Sequence, residues 1–72
     1  MDTHAELVRF GETFRHVREH QRLSAQELAA SSGVEIQRIR ELEAGRFDPT
    51  YDVLIALARG LDVRLSALVP KD

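Results

Sequence analysis

Apolar side chains recur along this chain at intervals of three or four residues, the spacing that places them on one face of an α-helix. The clearest stripe falls within residues 6–21 and comprises Leu7, Phe10, Phe14 and Val17. No stretch alternates apolar and polar residues in the way of a half-buried strand. The pattern therefore predicts an all-α chain whose first helix covers these residues.

Start and stop signals predict two short helices next. Ser24 and Glu27 have the spacing of a capping box, in which each side chain accepts a hydrogen bond from the other residue's amide, and they mark a helix over 24–31. Gly33 can adopt the left-handed conformation that ends this helix. A third helix over 35–44 follows almost at once. Because helices this short are unstable alone, we expect the pair to pack on a common core.

The remaining chain predicts two C-terminal helices and a loose N-terminal segment. Thr50 is suited to cap a fourth helix, and Pro70 stops a short fifth helix over 65–69. Residues 1–5 are expected to form a flexible arm. The predicted fold is a compact five-helix, all-α single domain over 1–72, with a helix-turn-helix at 24–44 and C-terminal helices at 51–69.

Composition narrows the class of protein. The 72 residues include no cysteine, so neither disulfides nor thiolate metal sites can stabilise the small core. No apolar run reaches the roughly 18 residues of a transmembrane helix and no secretory signal is evident, so we expect a cytoplasmic protein without membrane contact. A core this small often gains stability by oligomerisation.

The charge balance is unusual for a domain that contacts nucleic acid. Ten basic and twelve acidic residues give a net charge of −2. Residues 15–46 carry six arginines and five glutamates, and are therefore the less acidic part of the chain. Because nonspecific DNA binding needs a strongly basic face, this balance favours selective over indiscriminate DNA affinity.

The third predicted helix has the composition of a base-reading surface. At about 100° per residue, Ile39 and Leu42 define its inward side, while Gln37, Arg40 and Glu41 lie roughly opposite. In the major groove Gln can pair with adenine, Arg with guanine, and Glu can accept a hydrogen bond from cytosine. The alternative interpretation of the same residues is a solvated helix face.

A series of short motifs runs in fixed register along residues 10–69. They are V-R at 17–18, L-S-x-x-E-L-A at 23–29, G-V at 33–34, I-x-x-L-E-x-G at 39–45, P at 49, L-x-x-L-A-x-x-L at 54–61 and V-x-L-x-x-L at 63–68. Together they resemble the Cro/phage-repressor (XRE-type) helix-turn-helix family, which has the lambda-repressor-like fold. The resemblance implies a sequence-specific regulator of transcription that binds double-stranded DNA, a repressor or controller, without a cofactor.

The resemblance also implies a role for each position. The helix over 24–31 would lie across the DNA backbone, and the helix over 35–44 would enter the major groove. The residues expected to reach bases are Glu35, Ile36, Gln37, Arg40 and Glu41. Those expected to meet phosphates are Ser24, Ala25, Gln26, Arg38 and Arg46. Arg18 and Glu43 match a partly buried structural ion pair between the first and third helices.

Several of these roles have alternatives. Ile36 could cover the edge of the core instead, and Arg38 could form a surface ion pair. Glu35 stands where the family usually offers Ser, Thr or Asp, and both it and Glu41 are more readily explained as groups that orient or repel. Ala25 stands where the family often has a DNA-contacting Gln, so that side-chain contact is absent.

At the C-terminal end the resemblance implies a homodimer that reads two half-sites about one DNA turn apart. The expected dimer interface combines the loop at 47–50 with the C-terminal helices. Its candidate residues are Phe47, Leu61, Leu65, Leu68 and Val69. Some of them must belong to the core, and Phe47 could equally fold back on its own monomer. Asp62 replaces a usual glycine, which Asp tolerates in a left-handed turn.

Other classes of function have less support. His16 and His20 lie one helical turn apart, but no third ligand is evident, so we expect no metal site. No arrangement of nucleophile and base and no glycine-rich phosphate loop indicates an enzyme. The main alternative is a protein-interaction module on the same fold, or an antitoxin-type component that binds a protein partner and has weak or partner-dependent DNA binding.

Overall fold

The computed structural model describes residues 3–70 and contains, in that range, four α-helices, one short 3-10 helix and no strand. The α-helices are α1 (Thr3–His20), α2 (Ala25–Ser32), α3 (Ile36–Glu43) and α4 (Tyr51–Leu61), and the 3-10 helix is Leu65–Leu68. The all-α prediction is confirmed, and α2 and α3 lie within one residue of their predicted ends.

The prediction of five α-helices is wrong at the C-terminal end. Leu65–Leu68 is a four-residue 3-10 helix, in which the amide of Ala67 donates to the carbonyl oxygen of Arg64 at 2.9 Å. Val69 is already extended, with φ −91° and ψ 127°. Because Pro70 disfavours the helical conformation in the residue before it, the segment is too short to close an α-helical turn.

The predicted N-terminal arm is wrong for residues 3–5, which belong to α1. This helix begins at Thr3 rather than at Glu6, and Glu6 lies in its first turn. A carboxylate in that position interacts favourably with the positive end of the helix dipole. Residues 1 and 2 lie outside the described part of the chain.

One apolar core joins all the elements. Helix α3 packs against α1 and α2, helix α2 also packs against α4, and the 3-10 helix packs against α1 and α4. Of the apolar stripe predicted on α1, only Phe14 is fully buried, whereas Phe10 and Val17 cover the edge of the core. The buried apolar side chains are Phe14, Leu28, Ile39, Leu42, Leu57, Ala58, Leu61 and Leu68.

Helices α1 and α3 lie close together at Gly11, which is buried. A Cβ atom at this position would collide with the backbone carbonyl oxygens of Leu42 and Glu43, the latter at 2.9 Å. Any side chain here would therefore push the two helices apart. The glycine that weakens α1 locally is what allows α3 to pack against it.

The turn between α2 and α3 sets the direction in which α3 projects. Gly33 has a φ of 78°, and its amide donates to the carbonyl oxygen of Ala29 at 3.0 Å, as predicted for a left-handed cap. The hydroxyl of Ser32 accepts a hydrogen bond from the amide of Val34 at 3.1 Å. Asp62 ends α4 with a φ of 57°, which confirms the predicted left-handed turn there.

Candidate nucleic-acid interface

Helix α3 has a buried apolar side and an exposed polar side. Ile39 and Leu42 are 0% and 1% exposed and fasten the helix to the core. Gln37 and Arg40 are both exposed. An α-helix with its side chains is about 10–12 Å across, which fits the width of about 12 Å of the major groove of B-form DNA. The helix therefore has the size and the chemistry of a groove-reading element.

The other three residues predicted to reach bases lie around this face. Ile36 and Glu41 are half-buried, and Ile36 is not among the side chains that pack against the described core. Glu35 is exposed and caps α3 with its backbone at φ −58° and ψ 139°, but its side chain makes no capping hydrogen bond. The Glu35 carbonyl oxygen accepts from the amide of Arg38 at 3.0 Å, whereas its side chain leaves the amides of Ile36 and Gln37 without a cap.

The start of α2 is closed by the capping box that the sequence predicts. The Ser24 Oγ accepts a hydrogen bond from the Glu27 amide at 3.0 Å, and the Ser24 amide donates to Glu27 Oε1 at 2.8 Å. Because the Ser24 amide is occupied, it has no hydrogen left for a phosphate. No hydrogen bond within the described residues uses the amides of Ala25 and Gln26.

Ser24 also lowers the pKa of Glu27. The hydrogen bond that the Ser24 amide donates to the carboxylate has the largest effect and a side-chain hydrogen bond from the Ser24 hydroxyl the next, and together they hold this pKa below its ordinary value of 4.5. The ionised carboxylate lies in the first turn of α2, where it interacts favourably with the helix dipole. It also places a negative charge beside the predicted phosphate contact.

Arg18 and Glu43 form the ion pair that the family resemblance implies. Arg18 Nε donates to Glu43 Oε2 at 2.6 Å and Nη2 donates to Oε1 at 2.9 Å, while Nη1 donates to the carbonyl oxygen of Leu23 at 2.8 Å. Both side chains are 12% exposed. The hydrogen bonds to Glu43 raise the pKa of Arg18 against the opposing effect of burial. The pair ties the last residue of α3 to α1.

Arg46, predicted to meet a phosphate, is exposed directly after α3. Its amide donates to the carbonyl oxygen of Glu41 at 2.8 Å, and the amide of Gly45 donates to that of Leu42 at 3.1 Å. Gly45 has a φ of 76°. These two bonds around a left-handed residue form a Schellman motif, which fixes the point where Arg46 leaves the helix.

Arg38, the remaining predicted phosphate contact, lies over an aromatic ring. It is exposed on α3, and its guanidinium carbon is 4.9 Å from the ring centroid of Phe47. Phe47 is half-buried and packs against the core, so its inner side does fold back on its own monomer. Among the described residues Arg38 forms no ion pair, so the structure does not contain the surface ion pair that the sequence left as an alternative. Sequence reasoning missed this contact because the two residues are nine positions apart.

The predicted dimer residues fall into two groups. Leu61 and Leu68 were wrong as interface residues, because they are 1% and 0% exposed and lie in the core of a single chain. Leu65 is half-buried against the core, whereas Val69 is 54% exposed. Tyr51, at 67% exposed, is a second large surface residue that the sequence analysis did not single out.

An open groove of about 450 Å³ lies beside Val69. It was not predicted from the sequence. It runs between the first half of α1, the loop after α3 and the end of the described chain. Its apolar lining comes from Leu7, Phe10, Pro49, Leu54, Val69 and Pro70, and its charged lining from Glu6, Arg9 and Asp48. The early part of the α1 stripe was a signal for this surface, since Leu7 and Phe10 extend the stripe past the buried Phe14.

Residues 3–70 contain no helix with the length and apolarity that a membrane span needs. The same range contains no group of three or more His, Cys, Asp or Glu side chains placed to hold a metal ion. His16 and His20 are both exposed on α1.

Two short helices joined by a tight turn, with the second one exposing a polar face, define the class of protein as a helix-turn-helix domain. A family model described as helix-turn-helix (HTH_3) matches residues 14–68. The chain belongs to this XRE-type helix-turn-helix family of DNA-binding transcriptional regulators. Family members are not enzymes, which agrees with the expectation from the sequence.

A relative with a similar sequence is an uncharacterized HTH-type transcriptional regulator, y4dL, from Sinorhizobium fredii (strain NBRC 101917 / NGR234). The two are 39% identical over 57 residues, which cover 79% of this chain and 29% of the relative. This chain therefore spans less than a third of the length of that protein.

Solved structures share the fold over most of the chain. The restriction-modification controller protein C.AhdI from Aeromonas hydrophila is 31% identical with a TM-score of 0.86, and the match covers 89% of this chain and 97% of that one. An HTH_3 family transcriptional regulator from Vibrio cholerae is 24% identical with a TM-score of 0.87, over 93% of this chain and 38% of that one. The clp gene regulator ClgR from C. glutamicum is 24% identical with a TM-score of 0.79, over 86% and 80%.

Proposed function

We propose that this protein recognises a specific double-stranded DNA sequence as a homodimer and thereby acts as a transcriptional repressor or controller. Helix α3 enters the major groove, where Gln37 and Arg40 contact base edges and Ile36 meets a thymine methyl group. Glu35 and Glu41 discriminate against sites that bring phosphates or base acceptors to their carboxylates.

The observation that carries this proposal is the division of α3 into a fully buried edge and an exposed amide and guanidinium. Burial of Ile39 and Leu42 fixes the rotation of the helix about its axis. Gln37 and Arg40 therefore project outward from a rigid support. These two side-chain types make bidentate contacts with adenine and guanine, respectively.

Phosphate contacts on both sides of α3 position it in the groove. On one side the amides of Ala25 and Gln26 and the hydroxyl of Ser24 lie at the start of α2, where the helix dipole favours an anion. On the other side Arg46 leaves the Schellman motif at the end of α3. Such contacts set the register of the protein on the duplex, and base contacts then provide the sequence preference.

Two copies associate, in this proposal, through the groove beside Val69. The groove is mostly apolar, and its charged lining carries both signs, with Arg9 against Glu6 and Asp48. A lining with both signs suits a two-fold contact, because each patch meets a copy of itself. Since one such module buries only a modest DNA surface, a second α3 about one DNA turn away supplies the remaining contacts.

The similarity to C.AhdI favours a controller among regulators. That protein is described as a restriction-modification controller, and the match covers almost all of its chain. We therefore extend the proposal to a controller whose dimerisation and DNA binding depend on its concentration.

The direct test is selection from a random pool of DNA duplexes at roughly 100–150 mM salt, where nonspecific phosphate binding is already weak. We expect enrichment of a two-fold symmetric site. The variants Gln37→Ala and Arg40→Ala should lose this enrichment. Arg15→Ala is the matched control, because Arg15 is an exposed arginine on α1 whose ion pair with Glu19 contributes little.

Failure of the wild-type protein to enrich any site, with no binding even at low salt, would overturn the proposal. The interaction-module interpretation, with a protein partner in place of DNA, would then take its place. The dimer has its own test in sedimentation equilibrium. Val69→Asp should shift the protein to monomer, whereas Gln21→Asp, which adds the same charge at an exposed position just after α1, should not.

A further inference from the structure

Arg38 has two glutamates close to it in the chain that could pair with it. Glu35 lies three residues before it and Glu41 three residues after it, and side chains at that spacing are neighbours on a helix surface. A surface ion pair with either glutamate would neutralise the charge of Arg38 and occupy its donors. Within residues 3–70 neither pair is formed.

The guanidinium is instead held by Phe47, with its carbon 4.9 Å from the ring centroid. Contact with the face of a ring is electrostatic attraction to the π-system and uses no hydrogen-bond acceptor. The N–H donors of a guanidinium in such a contact can therefore still reach a carboxylate or a phosphate. A pair with Glu35 or Glu41 would leave fewer donors for a second anion.

Phe47 is itself well fixed, which makes it an effective support. Its inner side packs against the core, and it follows the Schellman motif at Gly45 and Arg46. The ring therefore stands at the end of α3, close in the chain to Arg46, which is exposed.

We propose that Phe47 is a positioning residue for DNA recognition: it holds the Arg38 guanidinium away from Glu35 and Glu41 so that it can meet a DNA phosphate. This inference rests on the proposed function of α3. It assigns to Phe47 a role within one chain, distinct from the role at a dimer interface that the sequence suggested.

The test compares four variants of the full chain on the duplex enriched by the selection above. Phe47→Leu keeps an apolar side chain but removes the ring, and Phe47→Tyr keeps the ring. We expect Phe47→Leu to weaken binding about two- to fivefold, the factor that corresponds to a cation–π contact at an exposed site, and Phe47→Tyr to bind as the wild type does. Arg38→Ala should reduce the salt dependence by about one phosphate contact.

The double variant decides the assignment. If Phe47 acts through Arg38, Phe47→Leu has no further effect on binding once Arg38 is alanine. An equal loss in both backgrounds would overturn the proposal. So would a parallel weakening of self-association by Phe47→Leu in sedimentation equilibrium, because Phe47 would then act at the dimer interface.

A measurement without DNA separates this inference from the function on which it rests. The Arg38 Nε–Hε resonance should be shifted upfield by the ring in the wild type and in Phe47→Tyr, and this shift should disappear in Phe47→Leu. Loss of enrichment for every duplex would contradict the proposed function and this role together. Enrichment without coupling between the two residues would contradict this role alone.

Discussion

Helices α2 and α3 are both eight residues long, yet they are stabilised in different ways. The first turn of α2 is closed by its own residues, through the reciprocal hydrogen bonds of Ser24 and Glu27. The first turn of α3 follows Glu35, whose side chain makes no capping hydrogen bond. Helix α3 depends on contacts made elsewhere, chiefly its buried edge and the ion pair of Glu43 with Arg18.

This difference separates a supporting helix from a reading helix. Because α3 is held at its inner edge and at its last residue, its first turn and its outer face are left for a ligand. Helix α2 carries its own cap and offers a ligand the amides of Ala25 and Gln26. A helix held by tertiary contacts should be sensitive to changes in α1, whereas a self-capped helix should respond mainly to changes in its own cap.

The largest expected effect is on the anchor of α3. Glu43→Ala removes one partner of an ion pair that is 12% exposed on each side and leaves the charge of Arg18 uncompensated. We expect the free energy of unfolding to fall by about 3 kcal/mol, measured by urea denaturation. Glu19→Ala breaks the exposed pair with Arg15 and should change it by less than about 1 kcal/mol. Equal effects of the two variants would contradict the account of α3.

The second effect concerns the closeness of α1 and α3. Gly11→Ala adds a methyl group that collides with the carbonyl oxygens of Leu42 and Glu43. Because these are backbone atoms, a change of side-chain rotamer cannot relieve the collision. We expect a loss of about 2 kcal/mol in thermal or urea unfolding, although alanine favours a helix. Glu12→Ala, the next residue and an exposed one, is the control and should be close to neutral. A stabilised Gly11→Ala variant would show that the helices can separate without penalty.

The third prediction removes the side-chain cap of α2 and adds one to α3. Ser24→Ala should destabilise the protein by about 1 kcal/mol, because the Glu27 amide loses its acceptor. Glu35→Ser should stabilise it by a smaller amount, because α3 gains the side-chain cap that it lacks. Both changes can be read from urea midpoints. A loss of stability in Glu35→Ser would contradict this prediction, because it would mean that the Glu35 side chain already stabilises α3 in the folded chain.

The smallest effect is a pH dependence confined to α2. The pKa of Glu27 lies below its ordinary value of 4.5 in the folded chain, so ionised Glu27 stabilises the fold at pH values above about 4.5. This contribution is lost as the pH falls through the folded pKa. The stability difference between the wild type and Glu27→Gln should therefore narrow below pH 4.5. A difference that stays constant with pH would rule out ionisation as its source.

The local features of the fold could be predicted from the sequence because they depend on residues close together in the chain. The capping box of Ser24 and Glu27 and the left-handed turns at Gly33 and Asp62 all follow from short-range rules. The orientation of α3 followed from the periodicity of Ile39 and Leu42. The 3-10 form of the last segment was missed, since the effect of Pro70 on the preceding residue leaves too few residues for an α-helical turn.

Features that depend on distant residues could not be predicted in this way. Burial of Leu61 and Leu68 in one chain rather than at a dimer surface is decided by how α4 packs against α2 and how the 3-10 helix packs against α1 and α4. The contact of Arg38 with Phe47 and the close approach at Gly11 likewise require the packed structure. The candidate site residues were named mainly by family resemblance, and their contacts with DNA remain predictions.

The central claim is that α3 is the surface that meets DNA. The most direct measurement is a titration of the isotopically labelled protein with the enriched duplex, followed by amide and side-chain chemical shifts. The account predicts the largest changes at the side chains of Gln37 and Arg40 and at the amides of Ala25 and Gln26, with little change on the exposed side of α1 at Glu12. Changes concentrated on α1, with α3 unaffected, would contradict it.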